Sequence, residues 1–171
     1  MIPFHVIGQP GSGKTTLIVD IITKMVKTGI AVGSIKHSSH NHELDKPGKD
    51  SFLHRKAGAS PVTMMTRDLT AVYMPRTHDM TPDSIIKKFY THLDIVLIEG
   101  WISGPYDKIE VWRKDLKKPP LFPDISKVRA IVTDDPLDSK IKQQADDRNI
   151  NCFKRSCVTD ISAFLSGMIN A

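Results

Sequence analysis

GQPGSGKT, residues 8–15, matches the phosphate-binding loop pattern at every fixed position. Glycines allow such a loop to curl so that successive backbone N–H groups point at one anion. In this pattern Lys14 reaches the β- and γ-phosphates of a nucleotide, and the Thr15 hydroxyl coordinates Mg²⁺. The predicted nucleotide-binding residues of this segment are Gly8, Gln9, Pro10, Gly11, Ser12, Gly13, Lys14, Thr15 and Thr16.

The flanking sequence places the loop between a strand and a helix. Residues 2–7 predict a first strand, with Pro3 tolerated near its start. From Thr16 onward apolar residues recur at helical spacing, and Gly29 is placed to end that helix. Because the helix dipole adds to the oriented amides, strand, loop and helix together form an anion site. These flanks disfavour the alternative, a glycine-rich turn that precedes Lys and Thr by chance.

The rest of the chain alternates predicted strands and helices. The continuous apolar run at 95–98 predicts a central strand of a sheet that is covered on both faces and mainly parallel, and residues 128–133 predict another central strand. Residues 62–65 and 71–74 predict an antiparallel hairpin. Further strands are predicted at 30–35, 109–112 and 151–154, and helices at 50–58, after Thr81, around 141–145 and at the C-terminus. We predict a single P-loop nucleotide-binding domain over residues 1–171, with an α/β doubly wound, mainly parallel sheet and the P-loop NTPase fold.

Composition narrows the classes of function. The 171 residues are 40% hydrophobic and 25% charged, as in an ordinary globular domain. No apolar run approaches membrane-spanning length and the N-terminus lacks a secretory pattern, so we expect no membrane partner. Cys152 and Cys157 are expected to be free thiols in a reducing cytoplasm. The net charge is +5, but basic residues are scattered apart from a short cluster at 113–118, so we expect no nucleic-acid partner.

Glu99 is the first candidate for chemistry outside the loop. In a doubly wound sheet, ligands bind beyond the carboxyl ends of the strands, and Glu99 directly follows the apolar run 95–98. A carboxylate there holds Mg²⁺ through water or polarises the attacking group. The alternative is a solvated loop carboxylate. Asp94, at the other end of the run, is predicted to be a strand-start residue.

The polar stretch 36–51 is the second candidate, because it is dense in groups that bind anions or metals. Asp45 or Asp50 is predicted to supply a second carboxylate near the metal. Lys36, His37 and Lys49 are predicted to meet phosphate oxygens. His37, His40 and His42 are also candidate zinc or nickel ligands, the alternative being a mobile polar loop.

Asp135 is the third candidate, since it follows the predicted strand 128–133. One hypothesis is that its carboxylate accepts hydrogen bonds from N1–H and the exocyclic amine of guanine, a donor pair that adenine lacks. The other is that Asp135 caps a helix beginning at Pro136. The sequence leaves both hypotheses open.

These motifs together resemble the MobB family of molybdopterin-guanine dinucleotide biosynthesis adaptor proteins. Lys-His at 36–37, Gly-Lys-Asp-Ser at 48–51 and Glu-Gly at 99–100 make the resemblance more specific than the phosphate loop does. The similar segments are 8–16, 36–37 with His40, Asp45, 48–51, 57–59, 94–101, 108–111 and 130–135, which together span most of the chain.

The resemblance implies a cytoplasmic homodimer that binds GTP with Mg²⁺ and hydrolyses GTP slowly at most. It further implies assistance to a separate guanylyltransferase, which attaches GMP to molybdopterin in molybdenum cofactor biosynthesis, with molybdopterin as a second bound ligand. We expect no additional partner domain. The expected catalytic residues are Lys14, Glu99 and Asp50, and the expected Mg²⁺ ligands are Thr15, Glu99 and Asp45.

Three rival functions use the same loop. A small-molecule kinase needs an arginine-rich lid, for which the segment 67–76 is short. A GTPase metallochaperone for nickel enzymes would use the three histidines of the polar stretch. A binding module without hydrolysis is separable from the first hypothesis by turnover alone. The sequence does not identify a rate-enhancing arginine, although Arg55 and Arg67 are candidates.

Overall fold

Strands and helices alternate along the chain in the computed structural model, which describes residues 1–38, 40–77 and 80–169. The elements are β1 (Ile2–Ile7), α1 (Lys14–Lys27), β2 (Val32–Lys36), α2 (Asp50–Lys56), β3 (Val62–Met65), β4 (Thr70–Tyr73), α3 (Pro82–Phe89), β5 (Ile95–Glu99), β6 (Asp107–Val111), β7 (Val128–Val132), α4 (Ser139–Asp147), β8 (Asn151–Phe153) and α5 (Val158–Ile169). They form two units, the first built from residues 1–38 and from 86 onward, the second from residues 39–85.

A parallel sheet of six strands organises the first unit. The strand order is β2-β5-β1-β6-β7-β8, and each neighbouring pair is parallel. Because β1 lies between β5 and β6, the loop that follows β1 is surrounded by the carboxyl ends of other strands. The predicted α/β, mainly parallel, doubly wound sheet is confirmed.

Both faces of this sheet are covered, which explains the continuous apolar runs of its central strands. Side chains alternate between the two faces of a strand. Phe4 and Val6 therefore pack with α1 and α5 on one face, where Leu17 and Leu165 are fully buried. Ile7, on the other face, packs with residues from α4 and from the loop that follows β6.

Helix α1 ends as its sequence predicts. Thr28 and Gly29 donate backbone N–H groups to the carbonyls of Met25 and Val26, and Gly29 has a φ of 84°. An L side chain rarely adopts that φ, so glycine at this position terminates the helix without strain.

The second unit contains helix α2 and an antiparallel sheet of two strands. Strands β3 and β4 pair with Val62 opposite Tyr73 and Met65 opposite Thr70, which confirms the predicted hairpin. Several large apolar side chains of this unit are exposed, among them Met65 at 77% and Leu69 at 75%. Within the described residues of either unit, no helix is both long and apolar enough to cross a membrane.

Candidate functional site

The glycine loop lies between β1 and α1 and is shaped by residues that tolerate positive φ. Gly8 has a φ of 146°, and a Cβ at this position would lie 2.3 Å from the carbonyl oxygen of Val111. Gly13, with a φ of 94°, immediately precedes the first residue of α1. The first N–H groups of a helix have no acceptor within the helix. The loop and the start of α1 therefore present backbone donors to an anion.

Lys14 folds back across this loop. Its Nζ donates hydrogen bonds to the carbonyl oxygens of Gly8 (3.0 Å) and Gln9 (2.9 Å). Burial lowers the pKa of the Lys14 ammonium; the Glu99 carboxylate opposes this shift, and the charge of Lys36 adds to it. The arrangement holds a cationic group at the mouth of the loop, where a nucleotide phosphate would lie.

Glu99 is the last residue of β5 and is 8% exposed, so it is not a solvated loop carboxylate. The parallel register places it beside Val6 of β1 and Lys36 of β2. Its Oε1 accepts a 2.9 Å hydrogen bond from Thr15 Oγ1 and forms an ion pair with Lys36 Nζ. Of the residues predicted from sequence, Lys14, Thr15, Lys36 and Glu99 therefore lie together in the first unit.

His37 extends this group along the edge of the sheet. Its backbone N–H donates to the Glu99 carbonyl at 3.0 Å. The His37 ring stacks on the Trp101 ring, with centroids 4.2 Å apart and an interplanar angle of 22°. Trp101 has a φ of 59°, an uncommon conformation for an aromatic residue. His37, directly after β2, and Trp101, shortly after β5, thus form an aromatic pair next to the strand ends that carry Lys36 and Glu99.

The remaining candidates of the polar stretch belong to the second unit. Asp45 is 6% exposed, and its Oδ1 accepts hydrogen bonds from the Lys46 N–H (2.8 Å) and Ser51 Oγ (3.0 Å). Lys49 immediately precedes α2, Asp50 is the first residue of that helix, and both are exposed. Their metal and phosphate roles stay predictions.

The histidine hypothesis was that His37, His40 and His42 bind zinc or nickel. In residues 1–38, 40–77 and 80–169, the structure contains no group of three or more His, Cys, Asp or Glu side chains arranged to hold a metal ion. The His40 and His42 rings meet edge to face with centroids 6.4 Å apart.

A cleft of about 600 Å³ lies next to the phosphate loop in the first unit. Ser12, Gly13 and Thr16 line one side of it, and residues 133–135 line another. The Asp135 carboxylate accepts a 2.8 Å hydrogen bond from the backbone N–H of Lys114. Asp135 therefore borders a space that connects with the loop, as the guanine hypothesis requires.

The helix-capping hypothesis for Asp135 is wrong. Helix α4 begins at Ser139, not at Pro136, and its N-cap residue is Asp138. The side chain of Asp138 accepts a 2.8 Å hydrogen bond from the Ile141 N–H. The predicted helix start at Pro136 is three residues too early, because proline at this position is also compatible with a turn.

The sequence did not predict that two charged residues of β6, Lys108 and Glu110, are buried. Lys108 is 2% exposed, and its Nζ donates to the carbonyl oxygens of Gly104 (2.8 Å) and Tyr106 (2.9 Å). Glu110 is fully buried and accepts hydrogen bonds from the N–H groups of Leu121 (2.6 Å) and Phe122 (2.8 Å). Burial raises the pKa of Glu110 and lowers that of Lys108.

These two side chains anchor the loops on either side of β6. A charged residue buried in a strand is stable only when its polar atoms are paired. Here backbone groups of the preceding and following loops pair them. The available sequence signal was a lysine and a glutamate on either side of Ile109 in the strand Asp107–Val111.

The fold and the site define a P-loop nucleotide-binding protein: a parallel sheet, a glycine loop that opens a helix, a loop lysine, and a threonine bonded to a strand-end carboxylate. The chain belongs to the MobB family, since the family model described as molybdopterin guanine dinucleotide synthesis protein B matches residues 4–134. The family predicted from the sequence motifs is confirmed.

Relatives with assigned names agree with this family. The chain is 37% identical over 133 residues to the molybdopterin-guanine dinucleotide biosynthesis adapter protein of Haemophilus influenzae, a match covering 77% of this chain and 74% of the relative. The adapter protein of the same name from Escherichia coli is 35% identical over 106 residues, covering 60% of this chain and 61% of the relative.

Solved structures agree in fold. A crystal structure of molybdopterin-guanine biosynthesis protein B superimposes with a TM-score of 0.74 and 21% identity, covering 99% of this chain and all of that one. Bacillus subtilis MobB gives a TM-score of 0.71 and 24% identity, with 97% of each chain covered.

Proposed function

We propose that this protein, an adapter of molybdopterin-guanine dinucleotide biosynthesis, works by binding GTP in the glycine loop. The observation that carries the proposal is the position of Lys14 over the loop together with the hydrogen bond from Thr15 to Glu99. Backbone donors, an ammonium group and a hydroxyl–carboxylate pair surround one space. A nucleoside triphosphate with its divalent cation matches that combination of groups.

The residues at the end of β5 fit Mg²⁺. Thr15 Oγ1 and Glu99 Oε1 are 2.9 Å apart, and both are the hard oxygen donors that Mg²⁺ prefers. When bound, this cation neutralises charge on the phosphate oxygens. Thr15 and Glu99 would hold it, while Lys14 and the loop amides position the phosphates. Lys36 and His37 are proposed to meet phosphate oxygens from the neighbouring strand end.

The assignments in the second unit extend this proposal. Asp45 or Asp50 is proposed to complete the metal shell, and Lys49 to meet phosphate oxygens. Oδ1 of Asp45 accepts from Ser51 Oγ and the Lys46 N–H, and its buried Oδ2 lies 3.9 Å from Nε of Arg55, so a cation at Asp45 would have to compete with that ion pair. Asp50 and Lys49 are exposed at the start of α2.

Slow hydrolysis is proposed because the sequence motifs identify no arginine that stabilises the transferring phosphate. Such a residue contributes about 10³–10⁵ in rate. Arg55, one of the two candidate arginines, pairs with Glu43 and lies over the rings of Phe52 and Tyr73, each 5.7 Å from its guanidinium carbon. These contacts hold Arg55 within the second unit.

The proposed partners are a guanylyltransferase, molybdopterin and a second copy of this chain, in the cytoplasm. Exposed apolar side chains of the second unit, led by Leu44 at 81%, support a protein–protein contact there. The stacked rings of His37 and Trp101 support the binding of a planar ring system near the phosphates.

A calorimetric titration with GTP, ATP and molybdopterin tests the proposal, with Mg²⁺ present and absent. We expect Mg²⁺-dependent binding of GTP and weaker binding of ATP. We also expect molybdopterin to saturate a site separate from that of GTP. Sedimentation equilibrium should give the mass of a dimer. Addition of this protein should raise the amount of product that a purified guanylyltransferase forms. Absence of any GTP-dependent heat, under conditions where the protein is folded, would exclude the nucleotide role.

A further inference from the structure

The cleft beside the phosphate loop lies over three successive strand ends. Arg113 follows β6, residues 133–135 follow β7, and Arg155 follows β8; all of them line the cleft. In the sheet, β1 is followed by β6, β7 and β8. Neighbouring strands are about 4.8 Å apart, so the end of β7 lies about 10 Å from the loop after β1. A nucleotide with its phosphates on the loop would place its base over β7.

Arg155 is fixed on the far side of this cleft. Its Nη2 donates a 2.6 Å hydrogen bond to Oδ2 of Asp20, which belongs to α1. Its backbone N–H donates at 2.9 Å to Oδ1 of Asp134. The side chain is 24% exposed. Arg155 is therefore tied both to the helix that carries Lys14 and to the end of β7.

Other planar side chains of the cleft are less suited to contact a base. Trp112 is 8% exposed, packs in the core, and donates its Nε1–H to the Lys118 carbonyl at 2.8 Å. The side chain of Arg113 is 52% exposed, and its partner Asp115 is 58% exposed. An exposed pair of this kind contributes little and does not hold a guanidinium in one orientation.

We propose that Arg155, held by Asp20, packs the planar face of its guanidinium against the purine base of the bound nucleotide. Because Nη2 is committed to Asp20, contact through the face leaves the ion pair intact. A guanidinium face stacks well on an aromatic ring, whereas an ammonium has no plane to offer. Arg155 therefore adds affinity for the base and does not read its edge. This inference rests on the proposed nucleotide binding.

Titration of three ligands into the full chain tests the contact. Arg155→Ala should lower the affinity for GTP about tenfold, which corresponds to about 1.4 kcal/mol. The same substitution should weaken the binding of 7-deaza-GTP, which lacks the N7 acceptor but keeps the ring, to the same extent. Inorganic tripolyphosphate, which has no base, should bind within about twofold of its wild-type affinity. Arg155→Lys should lose nearly as much GTP affinity as Arg155→Ala.

Asp20→Ala tests the positioning role and should give a smaller loss for GTP, with tripolyphosphate again unaffected. Arg129→Ala is the matched control, because Arg129 also pairs with a carboxylate, Asp107, at 3.1 Å. That pair lies near the amino ends of β6 and β7, away from the cleft, so GTP affinity should not change.

Several results would overturn the inference while leaving GTP binding itself intact. An equal loss for tripolyphosphate would show that Arg155 acts on the phosphates or on the fold. A smaller loss for 7-deaza-GTP than for GTP would show an edge contact at N7. Wild-type GTP affinity in Arg155→Lys would show that Arg155 contributes only its charge. Wild-type GTP affinity in Arg155→Ala would show that Arg155 does not contribute to binding. A wild-type protein that binds no GTP would instead refute the proposed function.

Discussion

Thr15 Oγ1 and Glu99 Oε1 are joined by a 2.9 Å hydrogen bond although 84 residues separate them in sequence. The parallel pairing of β1 and β5 creates this contact, because its register sets Val6 opposite Glu99. Thr15 then follows β1 by way of the glycine loop. The hydroxyl–carboxylate pair thus depends on strand order, and a substitution at Glu99 tests the proposed cation site without changing a residue of the loop.

Replacing Glu99 by glutamine should remove most of the Mg²⁺ dependence of GTP binding. The amide keeps a hydrogen-bond acceptor for Thr15 but loses the negative charge that attracts a cation. We expect GTP affinity in Mg²⁺ to fall about tenfold, roughly the strength of one charge-assisted hydrogen bond. Affinity without Mg²⁺ should change far less. Calorimetry in the presence of Mg²⁺ and of a chelator measures both.

Asp94→Asn is the control for this substitution. Asp94 lies at the opposite end of β5, where its carboxylate accepts a 2.8 Å hydrogen bond from the Ala31 N–H. Its replacement should affect stability and leave the Mg²⁺ dependence intact. Equal responses of the two variants would argue against a cation at Glu99.

Replacing Lys14 by alanine should abolish measurable GTP binding. The ammonium donates to the Gly8 and Gln9 carbonyls and is placed to exchange them for phosphate oxygens. Loss of two charge-assisted hydrogen bonds costs about 3–6 kcal/mol, so affinity should fall at least about a hundredfold. Lys27→Ala, an exposed lysine in the last turn of the same helix, should bind GTP normally. Retained affinity in Lys14→Ala would place the phosphates elsewhere.

The sequence predicted the parts of the fold that depend on local pattern. The run 95–98 is apolar because both faces of the sheet are covered there, and such a run has few alternative structures. The glycine loop was predictable because Gly8 and Gly13 need backbone conformations that other residues avoid. Strand order and the separation into two units depend on distant contacts, which a single sequence does not display.

The predicted site was incomplete where distant segments determine the role of a residue. Lys108 and Glu110 look like the solvent-facing half of an alternating strand, yet both are buried, because backbone groups from two loops pair them. Arg155 has no motif around it, and its position became clear only with its link to Asp20. Asp135 lines the cleft beside the phosphate loop, its predicted contact with guanine stays a prediction, and its helix-capping role is wrong.

Replacing Asp135 by asparagine should lower the affinity for GTP more than the affinity for ATP. A carboxylate accepts from both N1–H and the exocyclic amine of guanine, whereas asparagine presents one acceptor and one competing donor group. Buried mispairing of this kind costs about 1–3 kcal/mol, so we expect about a tenfold loss for GTP and little change for ATP. Competition binding with labelled GTP measures the ratio.

Asp138→Asn controls for a general effect of losing a carboxylate after β7. Asp138 caps α4 and is not among the residues that line the cleft, so the GTP-to-ATP ratio should stay at the wild-type value. An equal loss of GTP and ATP in Asp135→Asn would mean that Asp135 acts by holding Lys114, with which it forms a 2.8 Å hydrogen bond.

His5 should make the protein less stable in mild acid. It is fully buried in β1, and its ring stacks on that of Tyr106 with centroids 5.5 Å apart. Burial first, and then the positive charge of Lys108, lowers the pKa of His5 from 6.5 to about 4. The unfolded chain therefore binds a proton between these pH values that the native state does not. Stability falls as the pH drops through that window, by about 3 kcal/mol in all.

Urea unfolding of wild type and His5→Gln at about pH 7 and about pH 4 isolates this contribution. Glutamine does not titrate, so although the variant is less stable at neutral pH, its stability should decline less on acidification, by up to about 3 kcal/mol. His92→Gln, which removes an exposed histidine, should keep the wild-type decline. Because both states of wild type carry the proton below the native pKa, His5 adds no further loss there. An identical decline in wild type and His5→Gln would mean that the buried imidazole is already protonated in the native protein at mildly acidic pH, which its position beside Lys108 argues against.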